Sequence, residues 1–96
     1  MQIKEMYEIT EHTRRAARRL GVEVRPSKVK GKKIDVFRSG QKVASVGALG
    51  FGDFPTFIKR KGREFAEARR AAYKKRHAKD RAVPGTPGFY ADQLLW

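Results

Sequence analysis

Two short β-favouring runs joined by a glycine-containing connection constrain the fold more than any other feature of the sequence. The runs are Ile34-Asp35-Val36-Phe37 and Val43-Ala44-Ser45-Val46, and Arg38-Ser39-Gly40-Gln41 separates them. β-Branched and aromatic residues favour strands, and Gly40 can adopt the positive φ that a tight turn requires. The sequence therefore predicts a β-hairpin with strands near residues 33-38 and 42-47.

The segment before the hairpin predicts one helix and one ambiguous element. Residues 11-20 place small and apolar side chains on one side and arginines on the other, and Gly21 follows as a stop signal. In the first nine residues, the apolar spacing suits either a helix or an edge strand. We favour the strand, from Met6 to Ile9.

A second helical region follows the hairpin. Asp53 and Pro55 are start signals, and the region pauses at Gly62. Residues 63-79 have a high helix propensity and form the predicted main helix. Its apolar stripe is narrow and consists of Phe65, Ala68 and Ala72, with Tyr73 beside them.

The C-terminal segment is apolar and follows a turn-rich stretch at residues 84-88. We expect residues 89-96 to form a terminal turn or a short helix. A group of side chains this apolar is not expected to stay exposed to water. We expect most of these side chains to pack on the stripe of the main helix or on a neighbouring chain. The large members of this group are Phe89, Tyr90, Leu94, Leu95 and Trp96.

Together these elements predict a small α+β fold. The length of 96 residues fits a single domain with one core. We expect a β-hairpin layer covered by the long basic helix, with a short N-terminal helix and the apolar tail completing the domain. Residues 1-32 are predicted to form an N-terminal strand and helix arm, and residues 33-96 the core.

The charge of the chain predicts a polyanionic partner. There are 23 Lys and Arg against 10 Asp and Glu, a formal net charge of +13, which exceeds what solubility needs. On the main helix, Arg69, Arg76 and Tyr73 fall along one side, and such a surface could follow the phosphates of DNA or RNA. The alternatives are a solvated helix face and a flexible linker. The candidate cations form one cluster on the helix and one before the hairpin: Arg69, Arg70, Lys74, Lys75, Arg76 and Lys79, and Lys28, Lys30, Lys32 and Lys33.

The loop after the hairpin combines glycines with aromatic residues. The glycines of residues 47-52 lack the spacing of a dinucleotide-binding motif and the lysine of a P-loop, so they indicate a close approach of the backbone. Phe51, Phe54 and Phe57 recur every third residue. This spacing favours core packing over a platform for stacking bases.

The sequence predicts no enzyme, no cofactor and no metal site. It has no Cys to supply thiolate ligands, and His12 and His77 are its two imidazoles. His77 suits a cation at a helix end. The carboxylates are scattered and mostly lie beside Lys or Arg, unlike the clustered carboxylates of metal-dependent nucleases. No apolar run is long enough to cross a membrane, and no small-molecule substrate is evident.

Five segments stand out as a set and cover about residues 33 to 96: Lys33-Ile34-Asp35-Val36-Phe37, Lys42-Val43-Ala44-Ser45-Val46-Gly47-Ala48, Asp53-Phe54-Pro55-Thr56, Arg69-Arg70-Ala71-Ala72-Tyr73-Lys74-Lys75-Arg76-His77 and Gly88-Phe89-Tyr90-Ala91-Asp92-Gln93-Leu94-Leu95-Trp96. As a set they resemble a family of small basic proteins of the nucleocytoplasmic large DNA viruses, the giant viruses of algae and amoebae. The resemblance implies a viral setting and leaves the activity open.

Two functional hypotheses follow. The first is a minor structural component of the virus particle, bound to capsid or other virion proteins or placed between the shell and the genome. This role implies a location in the virion and, during assembly, in the cytoplasm or nucleus of the host cell. The alternative is a sequence-nonspecific nucleic-acid-binding protein, for which the charge is the argument. Both roles are non-enzymatic.

Overall fold

The predicted hairpin is present in the computed structural model, which describes residues 7–96. Its strands are β2, Lys32–Arg38, and β3, Gln41–Ala48. Both residues of the connecting turn have positive φ, 51° at Ser39 and 80° at Gly40, which matches the twist of a hairpin. A third strand that the sequence did not indicate, β1 at Glu23–Pro26, pairs antiparallel with β2 and makes β2 the central strand.

Four α-helices accompany the sheet within residues 7–96. The first has the predicted bounds, whereas the main helix ends at Arg76 rather than near Lys79 and is capped by His77. No helix of the described residues combines the length and the hydrophobicity needed to cross a membrane. The helices are α1, Glu11–Leu20, α2, Phe54–Lys61, α3, Arg63–Arg76, and α4, Pro87–Leu95, with a short 3₁₀ helix at Asp80–Ala82.

The core lies between one face of the sheet and two helices, α1 and α4. The α+β prediction is confirmed, but the helices that cover the sheet are these two, while α3 packs mainly against α2. Residues of the predicted N-terminal arm supply a helix and a strand to this core. The buried core side chains are Ile9, Ala16, Ala17, Ile34, Val36, Ala44, Val46, Tyr90, Leu94 and Leu95.

The strand predicted from Met6 to Ile9 is wrong for the residues that the structure describes. Residues 7-9 lie outside the sheet, and Met6 is outside the described residues. Residues 7–9 pair with neither outer strand of the sheet; they contact the fold through side chains instead, with Ile9 buried in the core and Tyr7 packed against it.

The apolar tail packs on the sheet and on α1 rather than on the predicted stripe of α3. In that stripe Phe65 is 42% exposed and Ala68 is exposed as well. The buried residue of α3 is Ala66, whose small side chain allows a close approach. The inward side of α3 is therefore rotated by one residue, about 100°, from the predicted stripe. Trp96 contacts α3 through Tyr73.

A candidate nucleic-acid interface

A groove of about 430 Å³ lies where α3 meets the end of β3 and the C-terminal residues. Five aromatic rings line it: Phe51 follows β3, Phe57 belongs to α2, Tyr73 to α3, His77 caps α3, and Trp96 follows α4. Sites of about 300–1,000 Å³ that combine apolar walls with a few polar groups are typical of ligand binding. We call this feature the aromatic groove.

The rings of Phe57, Tyr73 and Trp96 are in contact within the aromatic groove. Tyr73 stacks on Trp96 with centroids 4.5 Å apart and planes 10° from parallel, and His77 stacks on Tyr73 at 4.4 Å. Phe57 lies 6.0 Å from Trp96. Burial, together with the nearby Asp92 carboxylate, raises the pKa of Tyr73, so this ring is uncharged at neutral pH. The ring contacts therefore hold the wall of the groove in a fixed arrangement.

The rim of the aromatic groove is cationic. Lys32, Arg69 and Arg76 line it, and none of them forms an ion pair within residues 7–96. No Asp or Glu of the described residues lines the groove. The prediction that Arg69, Arg76 and Tyr73 share one side of the main helix is confirmed, and that side faces the groove. At the end of the helix, Nδ1 of His77 lies 3.2 Å from the carboxylate of Asp80.

Asp53 fixes the loop that leads from β3 into α2. Its carboxylate accepts hydrogen bonds from the backbone N–H of Thr56 at 3.1 Å, from the Tyr7 hydroxyl at 2.7 Å and from Nζ of Lys33 at 2.9 Å. Asp53 is thus the N-terminal cap of α2, as its start signal indicated. Because Lys33 belongs to β2, the ion pair ties the start of α2 to the sheet.

The Asp53 carboxylate is ionised in this setting. Its side chain is 1% exposed and that of Lys33 is 5% exposed. Burial alone would raise the pKa of Asp53, but the hydrogen bonds from Thr56 and Tyr7 and the charge of Lys33 outweigh it and hold the pKa below its ordinary value. Burial and the neighbouring carboxylate raise the pKa of Tyr7, so its hydroxyl remains a donor.

The loop between β3 and α2 combines an exposed ring with a closely packed glycine. A Cβ at Gly52 would collide with the ring of Phe57, so the close approach of the backbone predicted for this loop is confirmed there. The three phenylalanines for which core packing was favoured differ from one another. Phe54 is buried, Phe57 is half-buried in the groove wall, and Phe51 is 74% exposed.

Three of the predicted partner-binding cations are engaged inside the fold. Lys33 pairs with Asp53, as described above, and Nζ of Lys74 lies 2.8 Å from the Asp92 carboxylate. The half-buried Arg70 places its guanidinium 3.5 Å from the centroid of the Phe54 ring. Each of these three side chains lies on the side of its element that faces a neighbouring element, so its charge has a partner within the fold, and its role in partner binding stays a prediction.

The remaining predicted cations are exposed. Lys75 and Lys79 belong to the α3 region, and Lys28 and Lys30 lie in the loop between β1 and β2. None of the four is within ion-pair distance of a carboxylate of residues 7–96. These four lysines do not line the groove, and their charges add to the positive potential of the protein surface.

Sequence reasoning missed the joint role of Phe57, Tyr73 and Trp96 in one groove. The spacing of Tyr73, Arg76 and His77 on a helix was an available signal, since residues three and four apart share a face. No local signal placed Trp96 beside them, because its position depends on how α4 packs on the sheet.

Within residues 7–96, no three His, Asp or Glu side chains converge in a way that could hold a metal ion. No family model, curated protein or solved structure matches this sequence.

Proposed function

We propose that this chain is a non-enzymatic protein that binds DNA or RNA through phosphate contacts without reading the base sequence. The observation that carries the proposal is the division of charge between the interior and the surface. The buried charged residues of the described part are Asp35, Asp53 and Asp92, against the single cation Lys33. Asp53 and Asp92 are paired with Lys33 and Lys74, so these two carboxylates do not neutralise the exposed lysines and arginines, which remain in excess.

The buried carboxylates are occupied by groups of the fold. Asp35 accepts hydrogen bonds from the hydroxyls of Ser27 at 2.6 Å and Ser45 at 2.7 Å. Burial would raise the pKa of Asp35, but these hydrogen bonds keep it below its ordinary value. The Asp35 carboxylate is therefore held inward by hydroxyl groups, and the surface cation that its charge acts on is Lys42, away from α3.

Four exposed cations on α3 and in the turn after it have no ion-pair partner within residues 7–96. Arg69, Lys75, Arg76 and Lys79 lie within about three turns of chain, and like charges so close together destabilise a helix. Phosphates relieve this repulsion, and the counterions that they release drive binding. We call these four residues the α3 cation set.

The experiment compares wild-type protein with a variant that has the α3 cation set changed to Gln. The matched control changes Arg14, Arg15, Arg19 and Lys42 to Gln, which removes the same charge from exposed positions outside the groove. Affinity for a duplex of mixed sequence is measured across a salt series by fluorescence anisotropy. We expect the first variant to lose about 0.9 from the log-log salt slope for each lost phosphate contact.

Two results would count against the proposal. Wild-type binding weaker than about 10⁻⁴ M at physiological salt would remove nucleic acid as a direct partner, because nonspecific binders reach roughly 10⁻⁴–10⁻⁶ M there. An equal loss in both variants would show that the charge acts diffusely and that the α3 cation set is not the interface.

A place in the virus particle stays a prediction of the resemblance. The same cationic surface would also complement acidic patches of capsid subunits. The two roles separate when recovery in assembled particles is measured with the same variants. If the α3 variant keeps its DNA affinity and is lost from particles, the cations serve a protein partner.

A further inference from the structure

We propose that the aromatic groove binds an unpaired nucleobase of a single-stranded nucleic acid, with Phe51 as the main stacking ring and Lys32, Arg69 and Arg76 as contacts to the adjoining phosphates. This inference rests on the proposed function and adds the substrate class, single strands in preference to duplex.

The first argument is the exposure of Phe51. A phenylalanine that is 74% exposed has an apolar surface in water with nothing in residues 7–96 to cover it. It lines the same groove as the rings of Phe57, Tyr73 and Trp96 and is not an isolated surface residue. A base that stacks on a protein ring buries both flat faces, and every base has such a face.

The second argument is that the groove combines apolar walls with a cationic rim. The groove has aromatic walls, three rim cations without an ion pair among the described residues, and no acidic residue lining it. A nucleotide of a single strand presents an aromatic ring and a negative charge side by side. A duplex offers its phosphates but keeps its bases stacked and paired, so it would use the rim and leave the rings uncovered.

The third argument is that contacts fix the end of the ring-bearing loop. The loop starts from β3 and ends at Asp53, which is bonded to Thr56, Tyr7 and Lys33. Gly52, directly after Phe51, packs against the Phe57 ring. A platform whose neighbours are fixed loses less conformational entropy when a ligand binds.

The test uses three fluorescent probes of equal length and the full chain. They are an oligothymidine of about 16 nucleotides, at the upper end of the span of one small single-strand-binding domain, an abasic strand with the same phosphates, and a duplex. We expect wild-type protein to bind the oligothymidine about 5- to 150-fold more tightly than the abasic strand, the range that corresponds to one stacked base.

The variants separate stacking from charge. Phe51→Ala should reduce oligothymidine affinity to that of the abasic strand and leave duplex affinity unchanged, while Phe51→Tyr should retain binding because it keeps the ring. Val83→Ala, at another exposed apolar residue that does not line the groove, is the matched control. Quenching of the single tryptophan, Trp96, by the oligothymidine gives a second readout inside the groove, and unchanged circular dichroism confirms that each variant is folded.

Each alternative result is distinguishable. If wild-type protein binds all three probes equally, the proposed nucleic-acid binding stands and the stacking role fails. If it binds none of them, both fail. If Phe51→Ala binds oligothymidine like wild type, the base does not stack on this ring. If a polyglutamate peptide displaces the oligothymidine and binds more tightly, the groove belongs to an acidic protein partner.

Discussion

The buried ion pair between Lys33 and Asp53 offers a sharp test of how this fold is stabilised. The perturbation is Asp53→Asn, which removes the charge and keeps the shape. Asn is as good a helix cap as Asp, so the hydrogen bond from the backbone N–H of Thr56 can persist. What changes is that the Lys33 ammonium stays buried without a counter-charge.

A second ion pair in the same protein provides the control. Asp92 and Lys74 lie 2.8 Å apart, close to the 2.9 Å of the Asp53 pair, and both carboxylates are almost fully buried. The lysines differ, because the side chain of Lys74 is 32% exposed whereas that of Lys33 is 5% exposed. After Asp92→Asn, Lys74 can turn into water, while Lys33 cannot do so after Asp53→Asn. Both substitutions remove one negative charge, so the change in long-range repulsion is similar.

The magnitude follows from this difference in burial. Leaving a buried charge without its partner costs about 3–5 kcal/mol, whereas pairs that can separate into water contribute about 0–1 kcal/mol. For a domain of this size, 1 kcal/mol shifts the melting temperature by about 4–8 °C. We therefore expect a loss of at least about 12 °C for Asp53→Asn and of less than about 8 °C for Asp92→Asn.

The assay is urea unfolding at pH 7, followed by the fluorescence of Trp96, with thermal unfolding by circular dichroism as a second measurement. Trp96 stacks on Tyr73, so its environment changes when the tertiary structure is lost. Equal free-energy losses in the two variants would refute the argument from lysine burial. A loss below about 1 kcal/mol for Asp53→Asn would show that water reaches Lys33 in the folded protein.

Three further predictions follow from the same structure. The pKa of Asp53 is held below its ordinary value of 3.8 in the folded protein, so the contribution of its charge to stability is complete above about pH 5 and is lost as the pH falls through the folded pKa. Unfolding curves measured between pH 3 and pH 6 should therefore show that the free energy of unfolding of the wild type falls more steeply with decreasing pH than that of Asp53→Asn. Leu94→Ala should lower the free energy of unfolding by about 2–5 kcal/mol because the Leu94 side chain is fully buried. Phe65→Ala, at a site that is 42% exposed, should lower it by less than about 1 kcal/mol. The reverse order in urea unfolding would contradict the observed packing of α4. Gly40→Val should lower the melting temperature, since a β-branched residue at φ 80° is strained by about 1–3 kcal/mol, and an unchanged melting temperature would contradict the turn geometry.

Local sequence signals determined those parts of the fold whose physical cause is local. The hairpin turn depends on residues that tolerate positive φ, α1 on the spacing of its small side chains and on Gly21, and the start of α2 on Asp53 and Pro55. In each case the backbone hydrogen bonds lie within a few residues of the signal. The sequence therefore sufficed for these elements, whereas the polyanionic partner that the net charge indicates stays a prediction.

The partners of each charged or aromatic side chain depended on the tertiary structure. Arg69 and Arg70 are adjacent in the sequence, but one lines the groove and the other stacks on Phe54, because successive residues of a helix point about 100° apart. The sequence showed many lysines and could not show that Lys33 would be buried against Asp53. The pairing of Lys33 with Asp53 depends on how β2, the loop after β3 and α2 pack together. Such packing is set by contacts between segments that are distant in the sequence, and no local pattern encodes it.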